Sequence, residues 1–223
     1  MASTIGARLN YDKAKAGIEA AGFRLNQAVL SQSYLRSELA LSTTKTMYQF
    51  PILNNDNTQG APTNTSFLLN LQDAFYVSHI GLFFAKPSSS TDTTFQLVTY
   101  PNASIFSTAN TASSLFSFYN ANLDITINNR RVVAGLDLYR FYSVPQQQQT
   151  ANADYTSSAI SYRDQQDGSA SALYPIEPGI VFSGSKQNLV QISLPAAAAA
   201  VETNSRVILY FAGHLAQNVT SVR

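Results

Sequence analysis

Two hydrophobic periods divide the chain. From Tyr11 to about Leu41 the apolar positions recur at helical spacing. Ile18, Leu25 and Val29 lie along one stripe, and Phe23, Leu30, Tyr34 and Leu41 along a second. Ala, Leu, Gln, Arg and Glu dominate this stretch and no Pro interrupts it, so the spacing predicts a helix over 11–41. Two apolar stripes are more than a surface helix needs to hide. Gly17 and Gly22 mark places where such a helix bends or admits a close neighbour.

From Lys45 onward the period becomes two. Tyr48, Phe50 and Ile52 alternate, and Pro51 marks a strand end or an edge. A polar loop (Asn54–Ser66) precedes the apolar segments Phe67–Leu71 and Phe75–Ala85. Phe95–Tyr100 reads as a strand that ends at Pro101, and Leu115–Tyr119 as a short apolar segment. Leu123, Ile125 and Ile127 alternate up to Asn128-Asn129, and Arg131–Ala134 resumes, which predicts a hairpin over Leu123–Ala134. Leu138–Val144 is a further strand, closed by Pro145. Gln146–Ala172 is a polar excursion. Ile180–Phe182, a turn at Ser183-Gly184-Ser185, the alternation Val190, Ile192, Leu194, and the run Arg206–Leu215 complete the pattern.

These are eight to ten strands with turn signals between them and no intervening helices, the signature of a sandwich or barrel. The expected fold is therefore mainly β: an antiparallel, jelly-roll-like sandwich of about eight strands, with an N-terminal helical arm. The arm is assigned to 1–44 and the sandwich to 45–223.

Composition narrows the functional classes. Of 223 residues, 12% are charged, about half the usual share, while Ser, Thr, Asn and Gln make up about a third. With no Cys there is no disulfide framework, thiolate metal site or thiol nucleophile. A formal net charge of +1 argues against strong nucleic-acid binding. No apolar run approaches the roughly 20 residues of a membrane-spanning helix, and the N-terminus lacks a hydrophobic signal core. The segment Ala2–Phe50 carries a net +3, from six basic and three acidic residues, and the remainder a net −2.

Candidate chemistry is sparse. The two histidines, His79 and His214, lie in apolar strands and read as core or interface imidazoles, with a pH-sensitive contact as the alternative. Asp164 and Asp167 resemble half a calcium loop, without the distal Glu. Asp124 and Asp137 are the carboxylates to test as a glycosidase pair. Ser183-Gly184-Ser185 lacks the second Gly of a nucleophile elbow. Arg130-Arg131 reads as a solvated hairpin tip, or as an anchor for a carboxylate or phosphate. The Gln146–Gln149 and Ala196–Ala200 runs and the sequons at Asn64, Asn102 and Asn218 carry no chemistry of their own. The expectation is a protein without catalytic residues, cofactor, metal or small-molecule substrate.

Assembly is the role that remains. Weak charge lets identical copies approach, and the second apolar stripe of the arm is expected to find cover on a neighbouring subunit. The expected interface residues are Ile18, Phe23, Leu25, Val29, Leu30 and Tyr34. A helical arm leading into a Phe- and Tyr-rich β domain resembles the single jelly-roll capsid proteins of viruses, including bacteriophages. The residues that carry the resemblance are the arm Tyr11–Leu41, FYVSHIGLFFAK at Phe75–Lys86, LDITINNRRVV, VQISLP and RVILYFAGHLAQNV. The resemblance implies a virion structural protein, made in the host cytoplasm, that self-assembles with its own copies and other virion proteins. In that family the β domain forms the shell wall and the arm ties neighbours together. A carbohydrate-binding or adhesin module of a phage tail or surface structure is the alternative.

Overall fold

The computed structural model describes residues 2–26, 28–54, 63, 65–101, 105–107, 111–143 and 173–221. The excursion expected at 146–172, with Asp164, Asp167 and the Gln run, lies outside those residues, as do Asn64 and Asn102.

The opening helix is shorter than its pattern predicts. Helix α1 spans Ala2–Ala20. Gly22 adopts φ +92°, a left-handed conformation that glycine enters without strain, and the Gly22 N–H closes the last turn on the Glu19 carbonyl at 3.0 Å. The chain then enters strands β1 (Phe23–Arg24) and β2 (Val29–Ala40). The predicted helix over 21–41 is thus replaced by strand, and the boundary at 44 moves, because β2 belongs to the sandwich. All twelve residues of β2 pair with the last long strand, from Val29↔Gln217 to Ala40↔Arg206. Leu35 faces the core while Tyr34 and Arg36 face outward. A period of two was present beneath the helical one, and ladder pairing overrides the helix-favouring composition.

The remaining elements are β3 (Met47–Phe50), β4 (Ala74–Ala85), β5 (Leu97–Val98), α2 (Thr111–Tyr119), β6 (Asn122–Ile127), β7 (Arg130–Asp137), a 3-10 turn (Leu138–Phe141), β8 (Tyr174–Ser183), β9 (Asn188–Ser193), β10 (Arg206–Gln217) and β11 (Thr220–Ser221). Two segments depart from the expected strands: Leu138–Phe141 is a 3-10 turn capped by Asp137, and of Phe95–Tyr100 only Leu97–Val98 pairs. The short apolar segment Leu115–Tyr119 is helical. The predicted hairpin is present. Asn128 and Asn129 take φ +49° and +63°, the mirror-image turn that matches strand twist.

The longer strands form two antiparallel sheets packed as a sandwich, and β1 pairs with β11 as a separate two-stranded ribbon. The first runs β2-β10-β4, with β8 and β5 sharing the far edge of β4. The second runs β3-β9-β6-β7. Phe75, Phe84, Phe182 and Phe211 from the first sheet meet Tyr48, Ile125 and Ile192 from the second, and Phe118 and Tyr119 of α2 close one end. Each fully buried aromatic or aliphatic side chain contributes roughly 1.5–3 kcal/mol. No helix among the described residues is long and apolar enough to cross a membrane.

Candidate functional site

The outer face of the first sheet positions most of the residues singled out from the sequence. Strands β4 and β10 are apolar on both faces, so this face also needs cover. Helix α1 supplies it at one end. Ile18 and Phe23 are buried, and Leu25 and Leu30 half-buried, against Ala74, Tyr76 and Ala216. The Tyr76 ring is wedged between α1 and β8. A Cβ at Gly17 would lie 2.7 Å from that ring, and one at Gly179 2.2 Å from it. Lys13 pairs with Glu177 at 2.9 Å. Lys186 donates to the Ala21 carbonyl at 3.1 Å and lies 5.1 Å from the Phe23 ring centroid.

Four of the six expected interface residues are therefore spent within their own chain. Val29, at 62% exposure, and Tyr34, at 41%, remain outside that cluster. Most of the described apolar side chains of the expected stripes are covered by the chain's own sheet. The arm's apolar positions match the outward residues of β4 and β10, and the unbroken run Phe75–Ala85 was the signal that such a cover was required.

An aromatic and ionic lid covers the other end. Tyr34 and Tyr210 stack at 5.1 Å with 7° between planes, and Phe67 adjoins Tyr34 at 5.1 Å. The Phe95 ring is flanked by the Arg36 and Arg206 guanidinium groups at 5.3 and 5.4 Å. Both arginines pair with Glu38, whose side chain is 0% exposed, at 2.6 Å (Arg36) and 2.9 Å (Arg206). Thr63 and Thr65 donate to the same carboxylate at 2.9 and 2.7 Å. Burial opposes ionisation of Glu38. The Thr65 hydroxyl, the Arg36 charge and the Arg206 and Thr63 hydrogen bonds outweigh it, and hold the carboxyl below its ordinary range.

The histidines lie on this same face. His79 Nδ1 is 2.9 Å from Ser78 Oγ. His214 sits under α1, edge-on to Tyr11 at 6.3 Å and level with Gln32 and Tyr76 in the strand register. Its Nδ1 is buried without a partner, and burial lowers its pKa from the ordinary 6.5. The folded state thus binds fewer protons at this site than the unfolded chain. Stability is expected to be full above pH 6.5 and to fall as pH drops below 6.5 towards the folded value. Denaturant midpoints measured between neutral and mildly acidic pH check this, and His214→Phe should flatten that part of the curve.

The other candidates are committed to structure. Asp124 is gripped by Arg131 and accepts the Gly135 N–H at 2.7 Å. Burial opposes its charge, but these bonds prevail and lower its pKa. Asp137 accepts the Tyr139 N–H at 3.0 Å. A glycosidase pair sets a protonated carboxyl beside an ionised one; Asp124 is held ionised by its partners, and Asp137 caps the 3-10 turn. Ser183 Oγ contacts Ser185 Oγ at 2.9 Å within the turn. Asn218 stands at φ +54°, its N–H on Asp73 Oδ1 at 3.1 Å.

Two surface features escaped the sequence reading. Phe116, Tyr142 and Tyr139 form a row, with centroid separations of 5.7 and 6.0 Å. Phe116 and Tyr139 are exposed, and Tyr142 rests edge-on against buried Tyr119 at 5.1 Å. The row joins α2 to the 3-10 turn, an adjacency no local pattern reveals. The second feature is a groove of about 650 Å³ where β7, the end of α1 and β8 meet. The outer face of the second sheet carries an amide and hydroxyl ladder, with Gln49 donating to Gln191 at 3.3 Å and Gln191 to Ser193 at 3.1 Å.

Comparison with protein-family models, with curated proteins and with solved structures returns no match for this chain.

Proposed function

We propose that the chain is a virion structural protein, a self-assembling capsid subunit or auxiliary capsid component whose sandwich forms shell wall. The observation that carries this reading is strand order. Numbering the eight strands of four or more residues in chain order, one sheet reads 1-8-3-6 and the facing sheet 2-7-4-5. That order matches the two-Greek-key path of a jelly roll, an architecture used by viral capsid domains, and so supports this reading. The surface supports the reading. Exposed apolar side chains are spread over several sides of the domain, among them Val29, Met47, Leu71, Val132 and Tyr139, as a subunit with neighbours on several sides requires. The uncharged ladder on the second sheet offers identical copies a face with little repulsion. Arm exchange between subunits is not part of this reading, because α1 and Phe23 are used at home. The partners are further copies and other virion proteins, and the location is the particle, after synthesis in the host cytoplasm.

Jelly rolls also serve as lectin domains, and the Phe116–Tyr142–Tyr139 row favours that second reading. Exposed, rigidly backed aromatic rings present flat apolar surface to a sugar ring. Solution mass and negative-stain microscopy of the purified chain distinguish the two. The shell reading expects concentration-dependent multimers or curved particles that persist in Tyr139→Ala. A monomer at every concentration, with glycan-array binding lost in Tyr139→Ala, would establish the lectin reading instead.

A further inference from the structure

The groove between β7 and β8 gathers three cations, Arg130, Arg131 and Lys186, and among the described residues no carboxylate lines it. The three are not equally committed. Arg131 is held by Asp124, and Lys186 by the Ala21 carbonyl and the Phe23 ring. Arg130 is exposed at the start of β7, where its backbone pairs with Ile127, and its side chain makes no hydrogen bond or ion pair among the described residues. The walls between the charges are apolar, with Ile127 and Val132 on one side and Ile180 on the other. Val132 is 44% exposed.

Both walls are sheet edges. Among the described residues β7 pairs only with β6, and β8 only with β4. Pro175 and Pro178 deprive β8 of N–H donors. Strand β7 pairs with β6 through two register shifts, so its outer edge is bulged and offers an added strand only a short ladder. A volume of about 650 Å³ is within the range of specific ligand sites. Three cations are few for a nucleic-acid backbone, where each phosphate contact adds a Lys or Arg, and a bare anion would leave the apolar walls unused.

We propose that this groove docks an extended acidic segment of a partner protein that carries both carboxylates and apolar side chains. The segment lies along the mouth between β7 and β8. Its carboxylates meet Arg130 and the outer edge of Arg131, and its apolar side chains lie against Val132 and Ile180. This suits a groove with charge at its rim and aliphatic side chains on its walls. The inference is independent of the shell reading, since it concerns one groove of a single subunit.

The test uses the full chain and fluorescence anisotropy at physiological salt. The probes are fluorescein-labelled octapeptides alternating Glu with Val, Glu with Ser, and Lys with Val. The Glu–Val peptide is expected to bind at least about tenfold tighter than either control, and Arg130→Glu and Val132→Asp are each expected to weaken it about tenfold or more. Both positions are exposed, and unchanged thermal melts confirm that the variants fold. No Glu–Val binding, equal binding of the Glu–Ser peptide, or affinity unchanged in both variants overturns the proposal. So does binding of sodium octanoate at this groove in the absence of peptide binding, which would assign it to a small carboxylate.

Discussion

Glu38→Ala is expected to lower the unfolding free energy by about 3–5 kcal/mol, the cost of removing one partner from a buried ion pair. The substitution strands two cations. Arg36 and Arg206 have side chains 18% and 7% exposed, and both face the emptied site. Arg206 would keep its bond to the Ser90 carbonyl, at 2.6 Å, and its position beside Phe95. Among the described residues Arg36 has that ring contact to fall back on, and its Nη2 is already buried without a hydrogen bond. Glu38→Gln retains one carbonyl oxygen, which accepts from Thr63 or Thr65 but does not replace both carboxylate oxygens, and it loses the charge; it should fall between Ala and the parent. The pH dependence follows from the lowered pKa. Glu38 contributes fully above the ordinary carboxylate pKa of 4.5, and its contribution is lost as pH falls below 4.5 through the folded value. Both substitutions should remove that part of the acid limb. Guanidinium unfolding at neutral and acidic pH measures both effects. A loss under about 1 kcal/mol at neutral pH would mean the lid is held by its aromatic rings alone.

Ile18→Asp is expected to free α1 while leaving the sandwich folded. Ile18 is 0% exposed, and an Asp in its place loses the aliphatic contacts and also buries a carboxylate without a partner. The combined cost exceeds about 3 kcal/mol, which corresponds to roughly a hundredfold more open helix. Lys13 and Lys15 lie on that helix, so limited trypsin digestion should cut there about two orders of magnitude faster. Hydrogen exchange should rise over 2–20 and hold over β4 and β10. Global unfolding by Ile18→Asp would instead make α1 part of the cooperative core. The same variant bears on assembly: particles that form as readily with a freed helix would place the contacts between subunits elsewhere on the domain.

The β region was legible because its signals are local. Asn128-Asn129 between alternating apolar residues, the Val190–Leu194 alternation and the run from Arg206 each depend on a few adjacent residues, and each is a strand or turn in the fold. The segment after Gly22 was not, because two periods coexist in it. Leu25, Val29, Leu30 and Tyr34 fit a helix, while Leu35, Ser37 and Leu39 fit a strand, and the partner that decides between them lies 168 residues away in the Glu38–Arg206 pair. The candidate sites divide in the same way. Arg130-Arg131 could be marked from its position at a hairpin tip. The groove it rims, the aromatic row and the Phe95 sandwich all join residues that are distant in sequence.

The position of β10 has a consequence for how the molecule is made. It lies between β2 and β4, hydrogen-bonded to both. The first sheet therefore cannot close until residues 206–217 have left the ribosome. Until then β2 and the inner edge of β4 wait as open, apolar ribbons, and such non-local pairing is slow and exposed to aggregation. Helix α1 is synthesised before β4 and can already shield its end of that strand during the interval. A segment that once looked built to reach other molecules is placed to keep a nascent chain from sticking to them.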